Sequence, residues 1–336
     1  MDLSAEGAPV SAPVPMDRAR RQQGLSLVEL MVALLIGLIL LAGVFQIYLS
    51  GRQSAHAQED LARMQENGRY AMDVITRDLR RAGYWGGNAD ATQIMGDPGR
   101  EEPDGTCTDD DWGRMVERRV FGVNDAATGY GCAAVAEYER GDILTVRYAS
   151  FDPIAATTPL EENRLYLRSS LFSGRIMRGS NANNNAANEI VQFAADEPVV
   201  RELRANAYYV GTGQPSCSRT GEDVPVLRRV QLVPRTPLNP RGVQSQEVVP
   251  GVEHLQIRYL VAGSDTYVDA DTVTLNNDWA DVSAVRVWLL MRSECPEPGL
   301  NNATTYVMGD IEYPDAPDDF RRQLYVATVM LRNWTN

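Results

Sequence analysis

The strongest constraint in this 336-residue chain is an apolar run without charge near its N-terminus, Leu30–Leu49, in which Gln46 is the one polar residue. As an α-helix the run would rise about 1.5 Å per residue and span roughly 30 Å, the thickness of a bilayer core. Three arginines precede it: Arg18, Arg20 and Arg21. The positive-inside rule therefore predicts a cytoplasmic N-terminus, with everything after Leu49 on the other side of the membrane.

One carboxylate, Glu29, stands at the start of this run, shortly after the small residue Gly24. A carboxylate in an apolar membrane segment costs roughly 2.5–3.5 kcal/mol, so we expect it to have a partner. Two simpler interpretations stay open. Ala55-His56-Ala57 has the A-x-A pattern of a cleaved secretory signal, although the run exceeds the usual apolar length of about 7–15 residues. An uncleaved membrane anchor is the other alternative.

The letters RRQQG followed by LSLVELMVALLIGLILLAGVFQIYL resemble the leader and N-terminal helix of type IV pilins and their pseudopilin relatives. The resemblance implies a leader peptide over residues 1–24, cleavage by a prepilin peptidase between Gly24 and Leu25, and N-methylation of Leu25. It also implies that Glu29 meets the N-terminal amine of a neighbouring subunit, which relieves two buried charges at once. The chain departs from the usual family pattern at Leu25, where phenylalanine is commoner, and in its long leader.

The helical pattern continues beyond the apolar run, because no proline occurs from Gln53 to Ala82 and apolar residues recur at spacings of three and four. These residues form one stripe: Leu61, Met64, Gly68, Ala71, Ile75 and Leu79. We therefore predict one helix from Leu25 to Ala82, with a transmembrane segment over 25–49 and an amphipathic half over 50–82. Two helices broken at Ser50-Gly51 are the alternative.

The remaining residues, 83–336, change to short alternating segments that predict a globular head. Residues 86–131 are rich in Gly, Asp and Pro, and we expect a long loop insertion there. The segments with β character are Asp142–Ala149, Arg164–Arg168, Glu189–Phe193, Ala207–Gly211, Val226–Val233, Val252–Val261, Val282–Arg292 and Gln323–Arg332. Their separations suit hairpins rather than βαβ crossovers. The expected fold class is α+β and pilin-like, with a long N-terminal helix packed on an antiparallel β-sheet head.

Four stretches resemble the PilW-type minor pilins: Val248–Tyr259, Trp279–Ser293, Ala327–Asn333 and the helix exit Arg77–Tyr84. The resemblance implies a low-abundance pilin that helps to prime type IV pilus assembly and supports motility, adhesion or DNA uptake. The implied partners are the prepilin peptidase, other minor pilins and the major pilin, the inner-membrane assembly platform and the lipid bilayer. The implied location is the bacterial inner membrane with a periplasmic head, or the pilus tip. A J-type pseudopilin of a type II secretion system is the alternative.

The four cysteines, Cys107, Cys132, Cys217 and Cys295, include no C-x-x-C pair. With two histidines in the chain, a zinc site is not expected. An even count on the exported side favours two disulfides, for which three connectivities exist. Cys107–Cys132 is favoured by sequence proximity, which leaves Cys217–Cys295. Four free thiols are the alternative.

The sequence contains no motif of an enzyme among those sought: no G-x-S-x-G, no Walker-type phosphate loop and no H-E-x-x-H. We therefore expect no catalytic role and no cofactor, and a membrane-anchored periplasmic enzyme is the weakest alternative. Three acidic clusters are interpreted as solvated loops, with calcium binding as the other possibility: Asp109–Asp111, Asp269 with Asp271, and Asp315 with Asp318 and Asp319. The net charge of −13 argues against direct nucleic-acid binding.

Overall fold

The computed structural model describes residues 26–88, 90–96, 108, 111–126, 137–155, 157–180, 199–314 and 317–333. The chain divides into two compact units, Met1–His56 and Ala57–Asn336. Several predicted features lie outside the described residues: Gly24, Leu25, Cys107, Cys132 and the segment Glu189–Phe193.

Helix α1 spans Leu27–Arg81 without interruption, so the predicted continuous helix is confirmed and the break at Ser50-Gly51 does not occur. Arg80 and Arg81 occupy its last turn, where cations interact favourably with the helix dipole. A glycine, Gly83, follows the helix two residues after its last residue, Arg81. Gly83 has a φ of +74°, a left-handed conformation that favours glycine.

The predicted apolar stripe is the buried face of α1 in the second unit. Met64, Ala71, Ile75 and Leu79 are buried and belong to the main core. Gly68 lies against the Tyr325 ring, and a Cβ added at this glycine would stand only 3.0 Å from Met291 Cγ. A side chain at this position would therefore push the helix away from the strands beneath it.

The head contains an eight-stranded sheet built from β1 to β8. The strands are β1 Ile94–Met95, β2 Val120–Val123, β3 Tyr138–Ala149, β4 Leu165–Ser169, β5 Gly174–Arg178, β6 Val199–Gly211, β7 Val226–Leu232 and β8 Val243–Pro250. Their order is β1-β5-β4-β6-β3-β2, and β7 pairs with both β6 and β8. Only β1 and β5 run parallel among these pairs of the described strands.

A four-stranded antiparallel sheet completes the head. The further elements are β9 Val252–Val261, β10 Tyr267–Val268, helix α2 Ala270–Asn276, β11 Val282–Arg292, β12 Tyr306–Met308, β13 Ile311–Tyr313 and β14 Arg322–Met330. The order in the sheet is β10-β9-β11-β14, while β12 and β13 form a separate hairpin. The architecture, a long apolar N-terminal helix with a mainly antiparallel β head, confirms the predicted α+β fold.

Every predicted β segment that falls within the described residues coincides with a strand, and β9 and β11 match the predicted bounds. Strand β6 begins at Val199, well before the predicted start at Ala207. The first part of β6 contains charged residues that interrupt the alternation of apolar and polar residues, so it was not predicted as a strand. Glu202 in this part forms ion pairs with Arg164 and Arg204. Strands β5 and β8 were not predicted, and β1 and β2 lie within the expected loop insertion.

The core beneath the smaller sheet contains an aromatic cluster. Tyr259 of β9 and Trp279 are fully buried, with ring centroids 4.9 Å apart in an edge-on arrangement. The ring centroid of Phe121 in β2 lies 4.8 Å from the ring centroid of Trp279. Gly122 contacts the Tyr259 ring closely enough that a Cβ would collide with it. The cluster therefore joins β2 of the larger sheet to β9 of the smaller one.

A disulfide joins Cys217 to Cys295, two residues that are 78 positions apart in sequence, with a Cα–Cα distance of 5.0 Å. It connects the segment before β7 to the segment after β11. A covalent link across so long a loop restricts the unfolded chain more than the folded one.

We expect the paired substitution Cys217→Ser and Cys295→Ser to lower the free energy of unfolding by about 2–4 kcal/mol. Urea denaturation of the purified chain, followed by tryptophan fluorescence under non-reducing conditions, measures the change. The control is the native chain, measured under the same non-reducing conditions. A loss below about 0.5 kcal/mol, the usual scale of a surface substitution, would show that the crosslink is not stabilising.

Candidate functional site

The helical residues of the first unit expose their apolar side chains. The exposed fraction reaches 75% at Leu27 and at Ile47. Helix α1 is long and apolar enough to cross a membrane by length and composition, and none of its most apolar 18-residue window is buried. Such a surface is unfavourable in water and requires lipid or other apolar helices around it.

Glu29 lies in the first turn of α1, where the helix dipole favours negative charge. The first helical hydrogen bond runs from the Leu30 N–H to the Ser26 carbonyl oxygen at 3.1 Å, so the turn is formed around this carboxylate. Glu29 is exposed and has no ion-pair partner within the described part of the chain. Its pairing with a terminal amine stays a prediction, as does cleavage between Gly24 and Leu25, which lie outside the described residues.

A buried carboxylate near the other end of α1 holds the helix on the larger sheet. Asp78 is 5% exposed. Its Oδ1 accepts a hydrogen bond from Tyr148 Oη at 2.8 Å, and its Oδ2 accepts from Asn206 Nδ2 and Tyr208 Oη, both at 2.6 Å. Since Tyr148 belongs to β3 and the other two donors belong to β6, one side chain ties the helix to two neighbouring strands.

The protonation states of the donors support this arrangement. Burial raises the pKa of Tyr148 and Tyr208, and the nearby Asp78 carboxylate raises both values further. Both hydroxyls therefore stay protonated and donate to Asp78 at physiological pH. Asp78 was not predicted from the sequence, although its spacing of three from Ile75 places it on the buried stripe.

We expect Asp78→Ala to lower the free energy of unfolding by about 2–3 kcal/mol, because three buried donors lose their acceptor. Asp73→Ala is the matched control, since Asp73 lies on the same helix in an exposed ion pair with Arg77. That control should cost less than about 1 kcal/mol. Thermal unfolding followed by circular dichroism compares the two variants, and equal losses would contradict the anchoring role of Asp78.

The stretch VVPGVEHLQIRY, which carries part of the PilW resemblance, forms β8, a tight turn and β9. Gly251 at the turn has a φ of +84°, and a Cβ there would stand 3.0 Å from the Arg292 carbonyl oxygen. Glycine is therefore required by both backbone conformation and space. The turn places the next residues, from Val252 onward, in the core of the smaller sheet.

Glu253 in this stretch forms a buried ion pair with Arg322 of β14. Arg322 Nε donates to Glu253 Oε2 at 2.5 Å, and Nη2 donates to Oε1 at 2.9 Å. Tyr313 Oη donates to Oε1 at 3.2 Å, and Arg322 Nη1 donates to Asp318 Oδ1 at 2.6 Å. Both charged side chains of the pair are almost fully buried, at 2% and 1% exposure. The network connects β9 to β14 through β13.

The environment keeps the guanidinium charged. Burial lowers the pKa of Arg322, but hydrogen bonds to Asp318 and Glu253 outweigh this and raise it above its ordinary value. The guanidinium therefore carries its positive charge beside both carboxylates. The pair was not predicted from the sequence, because the two residues are 69 positions apart.

The acidic clusters have structural partners where they are described. Asp269 accepts a hydrogen bond from the Thr272 N–H at 2.7 Å and caps helix α2. Asp318 belongs to the Arg322 network, whereas Asp109, Asp110 and Asp315 lie outside the described residues. Within the described ranges no group of three or more His, Cys, Asp or Glu side chains is placed to hold a metal ion.

Comparisons with known proteins agree with these features. Residues 207–333 match the family model described as Type IV Pilus-assembly protein W, and residues 19–45 match the Prokaryotic N-terminal methylation motif. A solved type IV-like pilin from Thermus thermophilus has 14% sequence identity and a TM-score of 0.33, with 82% of this chain and 99% of that chain covered. No curated protein matches this chain.

A methylation motif that opens a long apolar helix, together with a mainly antiparallel β head, defines a type IV pilin-like protein. Within that class the family matches support a PilW-type minor pilin, because the segment matched by the PilW model covers β7 to β14 and includes Glu253, Arg322 and the Cys217–Cys295 crosslink. The pilin family consists of structural proteins.

Proposed function

We propose that this protein is a minor pilin that helps to initiate type IV pilus assembly at the bacterial inner membrane. One observation carries the proposal: an N-terminal methylation motif and a PilW segment occur on the same chain. The methylation motif is typical of a subunit that is processed before assembly. The PilW match over residues 207–333 supports a head that acts in pilus assembly.

Processing comes first in the proposed sequence of events. A prepilin peptidase cleaves after Gly24 and methylates the new terminal amine of Leu25. Before cleavage, the leader prevents Leu25 from presenting a free amine. After cleavage, the mature chain has a positive terminus close to Glu29, and both charges lie at the edge of the apolar segment.

Glu29 then pairs with the terminal amine of another subunit. The support is the exposed carboxylate at the start of a helix whose apolar surface is also exposed. A carboxylate and an ammonium that each enter hydrocarbon alone are costly, and their pairing removes most of that cost. The proposed partners are other minor pilins and the major pilin, with the inner-membrane platform and the bilayer as their surroundings.

The head, residues 83–336, is proposed to lie in the periplasm and to occupy the tip of the filament or a priming complex. A head of this size is difficult to repeat along a closely packed shaft. Immunogold labelling should find the protein at filament ends or in the cell envelope. Label along whole filaments in major-subunit amounts would contradict this placement.

A deletion strain tests the proposed function most simply. We expect sheared surface pili to fall to background in electron micrographs, while secretion through a type II system stays at the parental level. The native gene supplied in trans should restore piliation. Loss of secretion with normal piliation would overturn the proposal in favour of a pseudopilin.

A further inference from the structure

A cleft of about 420 Å³ opens in the second unit beside the C-terminal turns of α1. Its volume is within the range of ligand-binding pockets, about 300–1,000 Å³. Four arginines from three elements line it: Arg77 and Arg81 of α1, Arg204 of β6 and Arg229 of β7. In a chain with a net charge of −13, such a concentration of guanidinium groups is a distinct feature.

Two of these arginines have no carboxylate oxygen within 4.0 Å in the described part of the chain, Arg81 and Arg229. The Arg81 guanidinium carbon lies 5.5 Å from the centre of the Phe151 ring and 5.9 Å from that of Tyr148. Arg229 donates hydrogen bonds from Nε, at 3.2 Å, and from Nη2 to the uncharged amide oxygen of Gln246. The Arg81 guanidinium and the Nη1 group of Arg229 therefore have N–H donors available for an anionic ligand.

The other two arginines are paired but exposed. Arg77 forms an ion pair with Asp73 one turn earlier on α1. Arg204 pairs with Glu202, whose carboxylate also contacts Arg164. Exposed ion pairs of this kind are weak, so both guanidinium groups can turn to a ligand at little cost.

Two carboxylates also line the cleft, against the four guanidinium groups. Asp78 is buried and already accepts three hydrogen bonds from the sheet. Asp152 is exposed and can move into solvent. The donors of Arg81 and Arg229 are thus the groups best placed to meet a ligand.

We propose that this cleft binds a carboxylate-bearing peptide segment of a protein partner. Guanidinium groups donate two parallel hydrogen bonds to a carboxylate. Tyr70, Val74 and Phe151 add an apolar wall that suits peptide side chains and offers nothing to a bare inorganic anion. A nucleic acid would be repelled by the overall charge of the chain. Peptide binding at this cleft depends neither on cleavage at Gly24 nor on Glu29.

Fluorescence anisotropy, measured with the full chain in detergent, tests whether the cleft binds such a peptide. The probe is a fluorescein-labelled peptide of alternating Glu and Phe, and the control peptide carries Gln in place of Glu. We expect saturable, salt-sensitive binding of the Glu peptide, and Arg229→Gln should weaken it at least about tenfold. The matched control is Arg80→Gln, an exposed arginine outside the cleft, with a change below about twofold.

A second variant and a competitor keep the test decisive. If Arg229→Gln lowers the melting temperature, Arg204→Gln replaces it, because Arg204 is exposed and its loss leaves Glu202 paired with Arg164. Equal binding of the Gln peptide, or equal weakening by Arg80→Gln, would overturn the proposal. Displacement of the probe by inorganic phosphate at equal concentration would also overturn it, since the site would then take a small anion.

Discussion

Replacing Arg322 with methionine is expected to lower the free energy of unfolding by about 3–5 kcal/mol, because Glu253 loses its close partner in the core and keeps only the more distant Arg292 guanidinium, 3.9 Å away. The Glu253 side chain is 2% exposed, so water cannot take the place of the guanidinium. Tyr313 would remain as a donor to Glu253, and Arg292 Nη1 would remain 3.9 Å from its Oε1, but neither replaces the two close hydrogen bonds that Arg322 donates.

The neighbouring residue supplies a matched control for this prediction. Arg321 forms an ion pair with Glu297 in which both side chains are exposed, at 40% and 33%. Arg321→Met should therefore cost less than about 1 kcal/mol. Urea denaturation of both variants gives the comparison. Similar losses for Arg321→Met and Arg322→Met would show that the buried pair has no special role.

The paired substitution Glu253→Leu with Arg322→Met distinguishes two contributions to stability. One is the cost of leaving the Glu253 charge without Arg322, and the other is the stabilisation that the ion pair itself provides. We expect it to recover most of the stability lost in Arg322→Met, since apolar residues of similar size often replace a buried pair at little cost. A paired variant no more stable than Arg322→Met would indicate instead that the hydrogen-bonded network itself supports the fold.

The second large effect is expected at Glu29. Glu29→Ala should reduce incorporation of the protein into filaments or minor-pilin complexes more than about tenfold, because the terminal amine of the partner subunit then has no counter-charge in hydrocarbon. Cleavage of the leader should continue, since Gly24 and Leu25 are unchanged. Immunoblots of sheared filaments and of membrane complexes measure incorporation, and electron microscopy measures piliation.

Glu59→Ala is the matched control for Glu29, because Glu59 lies on the same helix in an exposed pair with Arg63, beyond the apolar run. It should assemble at the native level. Normal piliation and normal incorporation in the Glu29→Ala strain would remove the basis for the proposed charge pairing, even if the family assignment still holds.

Much of the fold could be predicted because its strongest signals are local. The stripe from Met64 to Leu79 predicts the buried helix face, and the alternation in Val282–Arg292 predicts β11 with its bounds. Strand β8 was not predicted because its sequence, VQSQEVVP, does not alternate cleanly between apolar and polar residues and contains a proline. Its strand character comes from pairing with β7, which local sequence does not encode.

The anchoring residues escaped prediction for the same reason. Asp78 and Glu253 are acidic residues in otherwise apolar patterns, and their burial becomes favourable only when distant donors reach them. Those donors, such as Tyr208 and Arg322, come from strands whose order in the sheets is not a property of any one segment. The N-terminal segment is the opposite case, since Gly24, Leu25 and Glu29 lie close together in sequence and their roles were proposed from the resemblance of this local motif to type IV pilins.

The mature N-terminus is the measurement that tests the central claim most directly. Mass spectrometry of the protein isolated from native membranes should find a chain that begins at Leu25 with a methylated amine, because the proposed assembly depends on that positive terminus. A chain that retains Met1, or one that begins at Gln58 after the Ala55-His56-Ala57 pattern, would contradict the account.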